Sequence, residues 1–102
     1  MGFGNFQANI FNLTKAQSKL NKQIMHITNQ RDIITARITA LMADGVDSSV
    51  DPEIKLLQYQ DNSLDMEQKS IETQLSVITE NLEKIEKQQE DNIKKEVPKL
   101  SL

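Results

Sequence analysis

Apolar side chains recur along this chain in two ladders that alternate steps of three and four residues, with a short glycine- and proline-containing turn between them. The first runs Phe3, Phe6, Ile10, Leu13, Gln17, Leu20, Ile24, Ile27, Arg31, Ile34, Ile38 and Leu41. The second runs Ile54, Leu57, Asp61, Leu64, Gln68, Ile71, Leu75, Ile78, Leu82, Ile85, Gln89 and Asn92. Ten of the twelve rungs are apolar in the first ladder and eight of twelve in the second, so both describe a seam buried along nearly its whole length. A strand alternates faces every second residue and cannot use this spacing.

The helix boundaries follow from local chemistry. Asn5 is a competent cap after Gly2 and Gly4, and no Gly or Pro interrupts the chain before Asp44-Gly45. Glycine just past a helix end adopts the left-handed conformation without a Cβ penalty, which predicts a stop there. Asp51-Pro52-Glu53 restarts a helix: Asp51 caps, Pro52 lacks an amide hydrogen that would have had no partner, and Glu53 suits the helix dipole. Pro98 predicts the second stop, near Glu96. The expected organisation is one unit over 1–102: a helix at about 5–43, a turn at about 44–51, a helix at about 52–96 and a tail at 97–102. Helices of about 38 and 45 residues are roughly 55 to 65 Å long, and a connection of about eight residues makes them fold back on each other. The predicted fold class is all-α, an antiparallel two-helix coiled-coil hairpin that forms part of a larger bundle or assembly. Matching the ladders end to end sets Leu41 beside Ile54, Ile24 near Ile71, Leu13 near Leu82 and Phe6 near Gln89.

That alignment brings Arg31 close to Leu64, one rung from Asp61. Two readings stand. Arg31 and Asp61 face each other in the seam and, with Gln68, penalise slipped registers; or both side chains extend to water. The flanks of the seam are also unusual. Where two-stranded coiled coils carry Glu and Lys, the first helix offers Gln7, Asn9, Thr14, Ala16, Asn21, Gln23, Thr28, Gln30 and Thr35, with Arg37 the single charge. Such flanks either face solvent or accept neighbouring helices without burying charge.

Several apolar residues fall off the seam. Phe11 and Met25 hold equivalent positions two heptads apart, and Tyr59 and Met66 hold equivalent outward positions on the second helix. Pairing at heptad spacing marks them as contacts with another copy or a partner. The first fourteen residues carry no charge yet hold all three phenylalanines, Phe3, Phe6 and Phe11. This segment either meets another molecule or closes on Ile85, Ile93 and Val97. The expected interface is therefore Phe3, Phe6, Phe11, Met25, Tyr59 and Met66.

Little else in the chain can carry chemistry. With 102 residues and its apolar content on two thin stripes, it cannot enclose a compact active site. It has no cysteine, so a disulfide framework, a thiol nucleophile and a cysteine metal site are excluded. The single histidine, His26, lies off the seam and reads as a solvated residue. Asp44, Asp47, Asp51 and Glu53 gather around the turn, but their order does not fit a calcium loop. Acids such as Glu83 and Glu86 stand near Lys84 and Lys87 as helix-surface ion pairs. No catalytic residue, cofactor or metal is expected, and no small-molecule substrate. The net charge is −3, with five basic and three acidic residues in 1–50 and seven basic and twelve acidic in 51–102. No basic cluster with interleaved aromatics points to nucleic acid, and no run approaches membrane-spanning length. Met1-Gly2 lacks the downstream Ser or Thr of a myristoylation signal, because Phe6 stands there. The expected location is the cytoplasm, or outside the cell by a route without a cleaved signal peptide.

The opening Met1-Gly2-Phe3-Gly4-Asn5-Phe6-Gln7, continuing through Ile10-Phe11-Asn12-Leu13-Thr14, resembles the start of short bacterial two-helix proteins. In size and plan the chain is also similar to exported helical-hairpin proteins, the type III secretion needle subunits and the WXG100 class. It departs from both, since Asp44-Gly45-Val46 stands where the latter has Trp-x-Gly, and it is longer than a usual needle subunit. A prefoldin β subunit shares the coiled-coil hairpin but needs strands that Gly45 to Pro52 cannot supply. The resemblance implies a self-assembling structural protein, exported or associated with secretion, acting on copies of itself. The competing expectation is a cytosolic adaptor or export chaperone that docks a helix of another protein. An enzyme is the third class, and no site supports it.

Overall fold

The computed structural model describes the backbone of residues 3–100 and the side chains of residues 7–91. Two helices make up the fold, α1 (Phe3–Ala43) and α2 (Pro52–Leu100), and they pack against each other as a hairpin 80 × 19 × 16 Å in extent. The chain is all-α, with no strand among the described residues.

The turn shows why the chain reverses where it does. At the end of α1 the Val46 amide donates to the Leu41 carbonyl at 3.1 Å and the Gly45 amide to the Met42 carbonyl at 3.0 Å. These bonds satisfy carbonyls that the helix end would leave without partners, and they require a left-handed residue between them. Gly45 supplies it at φ 88°. Asp47 then folds the connection: its Oδ1 accepts from the Ser49 amide at 2.9 Å and from Ser49 Oγ at 2.7 Å. Asp51 begins α2 as a cap, its Oδ2 accepting from the Ile54 amide at 2.9 Å and its carbonyl from the Lys55 amide at 3.1 Å.

Both helices run further than the sequence predicts. α1 starts at Phe3 instead of near Asn5, and α2 continues to Leu100 instead of ending near Glu96. Proline's fixed φ is itself helical, so the backbone carries on through position 98 for two more residues with the loss of one helix hydrogen bond.

The seam lies where the ladders place it. Every ladder residue from Ile10 to Leu41 and from Ile54 to Gln89 is buried or half-buried. Phe3, Phe6 and Asn92 fall outside the described side chains. Leu20, Ile27 and Ile71 form the centre of the core, with Ile24, Leu64, Leu75 and Ile78 packed against them. Near the turn, Ile54 is fully buried. Ile34 and Leu82 are buried as well, and the other rungs are only partly covered because two helices can enclose one line of side chains and no more.

Candidate interaction surface

Five polar rungs interrupt the described part of the α1–α2 seam, and four of them, Gln17, Arg31, Asp61 and Gln68, find partners across it. Gln17 Nε2 donates to Thr79 Oγ1 at 3.3 Å. Arg31 anchors a larger group: Nε donates to Asp61 Oδ1 at 2.9 Å and Nη2 to Asp61 Oδ2 at 3.3 Å, while Nη1 donates at 3.1 Å to both Asp65 Oδ1 and Gln68 Oε1. Gln68 passes its amide on to Glu72 Oε1 at 3.1 Å, and Lys69 Nζ lies 2.9 Å from Asp65 Oδ2. Arg31, Asp61 and Gln68 thus come together, and of the two alternatives open in the sequence the cross-seam contact is the one formed. Asp65 is the member that sequence reasoning missed. It sits on the flank one residue past a rung, and only the direction of the Arg31 fork recruits it.

The electrostatics follow from these contacts. The hydrogen bond to Asp61 is the main cause that holds the Arg31 guanidinium above its usual pKa, against the opposing effect of partial burial. The Asp65 carboxyl is held below its usual range first by the hydrogen bond from Lys69, with burial opposing and the charges of Lys69 and Arg31 adding to it. Asp47 is lowered too, by the Ser49 hydroxyl and then the Ser49 amide. Half-buried groups with this many partners set a geometry more than they add stability.

Three of the four acids around the turn are occupied by structural tasks. Asp47 binds Ser49, Asp51 caps α2, and Glu53 pairs with Arg37 at 3.0 Å. His26 is exposed, beside an open groove that it shares with Lys19, Lys22 and Glu67. Among the described residues no three His, Cys, Asp or Glu side chains gather as metal ligands, and no helix is long and apolar enough to cross a membrane.

The outer faces carry the remaining candidates. Phe11 is 67% exposed, and Met25, Tyr59 and Met66 stand equally open. Phe3 and Phe6 lie outside the described side chains. No family, curated protein or solved structure matches the chain.

Sequence reasoning also passed over Ile33, Met42, Val50, Leu56 and Val77, all large apolar side chains in solvent. Ile33 and Tyr59 belong to opposite walls of an open groove of ≈ 580 Å³, where Gln30, Gln60 and Ser63 supply the polar lining. The signal for Leu56 and Val77 was present. Leu56, Tyr59, Ser63, Met66, Ser70, Thr73 and Val77 repeat the alternation of three and four on the outward side of α2, and none of them is charged. Small hydroxyl residues on three of its rungs mask the pattern when apolar residues alone are counted.

Proposed function

We propose that the chain is a non-enzymatic structural subunit that assembles with further copies of itself, using its amino-terminal aromatic segment as one contact. The observation that carries this reading is surface area. The hairpin exposes 7780 Å². A globular monomer of 11.6 kDa exposes about 5,800 Å². The excess of roughly 2,000 Å² is more than the ~800 Å² per partner that a standard protein interface covers. Phe11 and Met25 repeat on one face of α1 within that excess surface, and large apolar groups spaced by heptads suit helix-to-helix contact. A filament or complex subunit of a secretion apparatus is the form of this role that the hairpin plan resembles.

Sedimentation velocity over a range of concentrations tests the reading. Higher oligomers that dissolve in Phe6→Asp and Phe11→Asp variants support it, and a chain that stays monomeric at every concentration overturns it. One observation favours a second reading, the adaptor that docks a client helix: the groove between Ile33 and Tyr59 is open and largely uncharged. A monomer that binds an added amphipathic peptide, and loses it on Ile33→Asp, is the result that reading expects.

A further inference from the structure

We propose that the outward face of α2 is a second seam, and that its occupant is the same face of a second copy running in the opposite direction. The inference deepens the assembly reading and rests on it. Leu56, Tyr59, Ser63, Met66, Ser70 and Thr73 are all exposed, and their spacing gives six rungs over about 26 Å of helix. Three are large and three are small. When this ladder is laid against a reversed copy so that Leu56 meets Thr73, Tyr59 meets Ser70 and Met66 meets Ser63, every large side chain of these six rungs faces a small one, and the seventh rung, Val77, falls opposite Pro52 at the edge of the overlap. Twofold symmetry then repeats the three pairs, so all six layers are filled by one contact type used twice.

This matching is a property of the ladder read against itself, and a helix of unrelated sequence has no reason to satisfy it. Sliding the copy by one heptad sets Leu56 against Glu80 in one direction, and in the other sets Leu56 against Met66 with the overlap cut to four layers, so the pattern also selects its register. Thr73 Oγ1 donates to the Lys69 carbonyl at 3.0 Å, which leaves its methyl group free to face Leu56 without burying an unpaired hydroxyl. The borders of the face hold three amides, Gln60, Asn62 and Gln74, and three charges, Lys55, Glu67 and Lys69, the last tied to Asp65. The outward charges Glu80, Lys84, Lys87 and Asp91 lie beyond the overlap, and within it Lys55 and Glu67 are one of each sign, so two copies with a net charge of −3 meet on a face whose charges balance.

The test exchanges large and small across one layer. Tyr59→Ser opens two cavities in the dimer, and Ser70→Tyr forces two rings together; each weakens association at least about tenfold by sedimentation equilibrium. The double variant Tyr59→Ser with Ser70→Tyr recovers most of that loss, because each layer again holds one ring and one hydroxyl. Both positions are exposed in the hairpin, and helical content by circular dichroism confirms that each variant still folds. Tighter association of Ser70→Tyr alone overturns the proposal, since it marks unspecific apolar contact. Failure of the double variant to recover overturns it as well. Association that ignores all three variants yet disappears in Phe11→Asp also overturns this seam, while leaving the assembly reading in place. A wild-type chain that never associates overturns both.

Discussion

Arg31 holds Asp61 by two hydrogen bonds at once, Nε to Oδ1 and Nη2 to Oδ2, across the middle of the α1–α2 seam. A planar fork on a carboxylate is satisfied in one relative placement of the two helices, and a slip by a heptad would bring Arg31 against an apolar rung or a different acid. Arg31→Leu is expected to leave both helices formed while broadening their alignment. Spin labels at Ser18→Cys and Ser76→Cys, both on exposed positions, report this as a single narrow distance in the parent and a spread or double distribution in the variant. An unchanged narrow distance removes the register role from Arg31, Asp61 and Gln68.

Acid should loosen the same region. The folded-state pKa of Asp65 lies below its unfolded value, so its contribution is fully present above about pH 4 and is lost as the pH falls through the depressed value. Asp47 behaves in the same sense at the turn. Thermal melts followed by circular dichroism should show Tm falling below about pH 4, and Asp65→Asn should flatten that decline while lowering Tm at neutral pH. A variant with an acid limb as steep as the parent's assigns the decline to other carboxylates.

Gly45→Ala and Asp51→Ala separate the two halves of the turn. Open space surrounds the position of an added Cβ at Gly45, so the cost there is the left-handed backbone alone, about 1 kcal/mol. Asp51→Ala removes the cap on the Ile54 amide and costs roughly 1 kcal/mol as well. Each should lower Tm by about 4 to 8 °C, in dilute solution where association does not contribute. A Gly45→Ala variant as stable as the parent would show that the turn takes another path.

Ile27 and Ile33 are one residue type on two sides of α1, 3% and 69% exposed. Ile27→Ala is expected to cost about 2 to 4 kcal/mol and Ile33→Ala less than about 0.5 kcal/mol at concentrations where the chain is dispersed. Denaturant melts of the two variants measure the contrast directly, and equal losses contradict the assignment of the core.

The contrast also explains how far the molecule was legible in its sequence. A two-helix hairpin buries a single line of residues, so the spacing that defines the line also defines the core, and Ile27, Ile71 and Ile54 could be placed by counting alone. Gly45 and Asp51 were legible because each carries one backbone task. The partnership of Arg31 with Asp61 was one of two open alternatives, since a ladder position fixes which rungs are neighbours but not whether a long side chain turns inward. Asp65 lay outside that reasoning because its role depends on side-chain direction. Pro98 misled in the other direction, because its fixed φ is compatible with the helix and only two further helical residues follow it. The outward ladder on α2 was half seen, as Tyr59 and Met66, because Ser63, Ser70 and Thr73 do not register as apolar although in a tight layer they serve as the small half of a pair.

Because the chain reverses at Gly45, the opening of α1 and the last turn of α2 share one end of the 80 Å rod, and Val50 stands exposed at the other. A fluorophore pair carried at Val50→Cys becomes a ruler for how copies are arranged. Hairpins joined through their aromatic ends would hold the two dyes roughly 160 Å apart, beyond energy transfer, whereas α2 faces overlapped in opposite directions would bring them to about 45 Å, well within it.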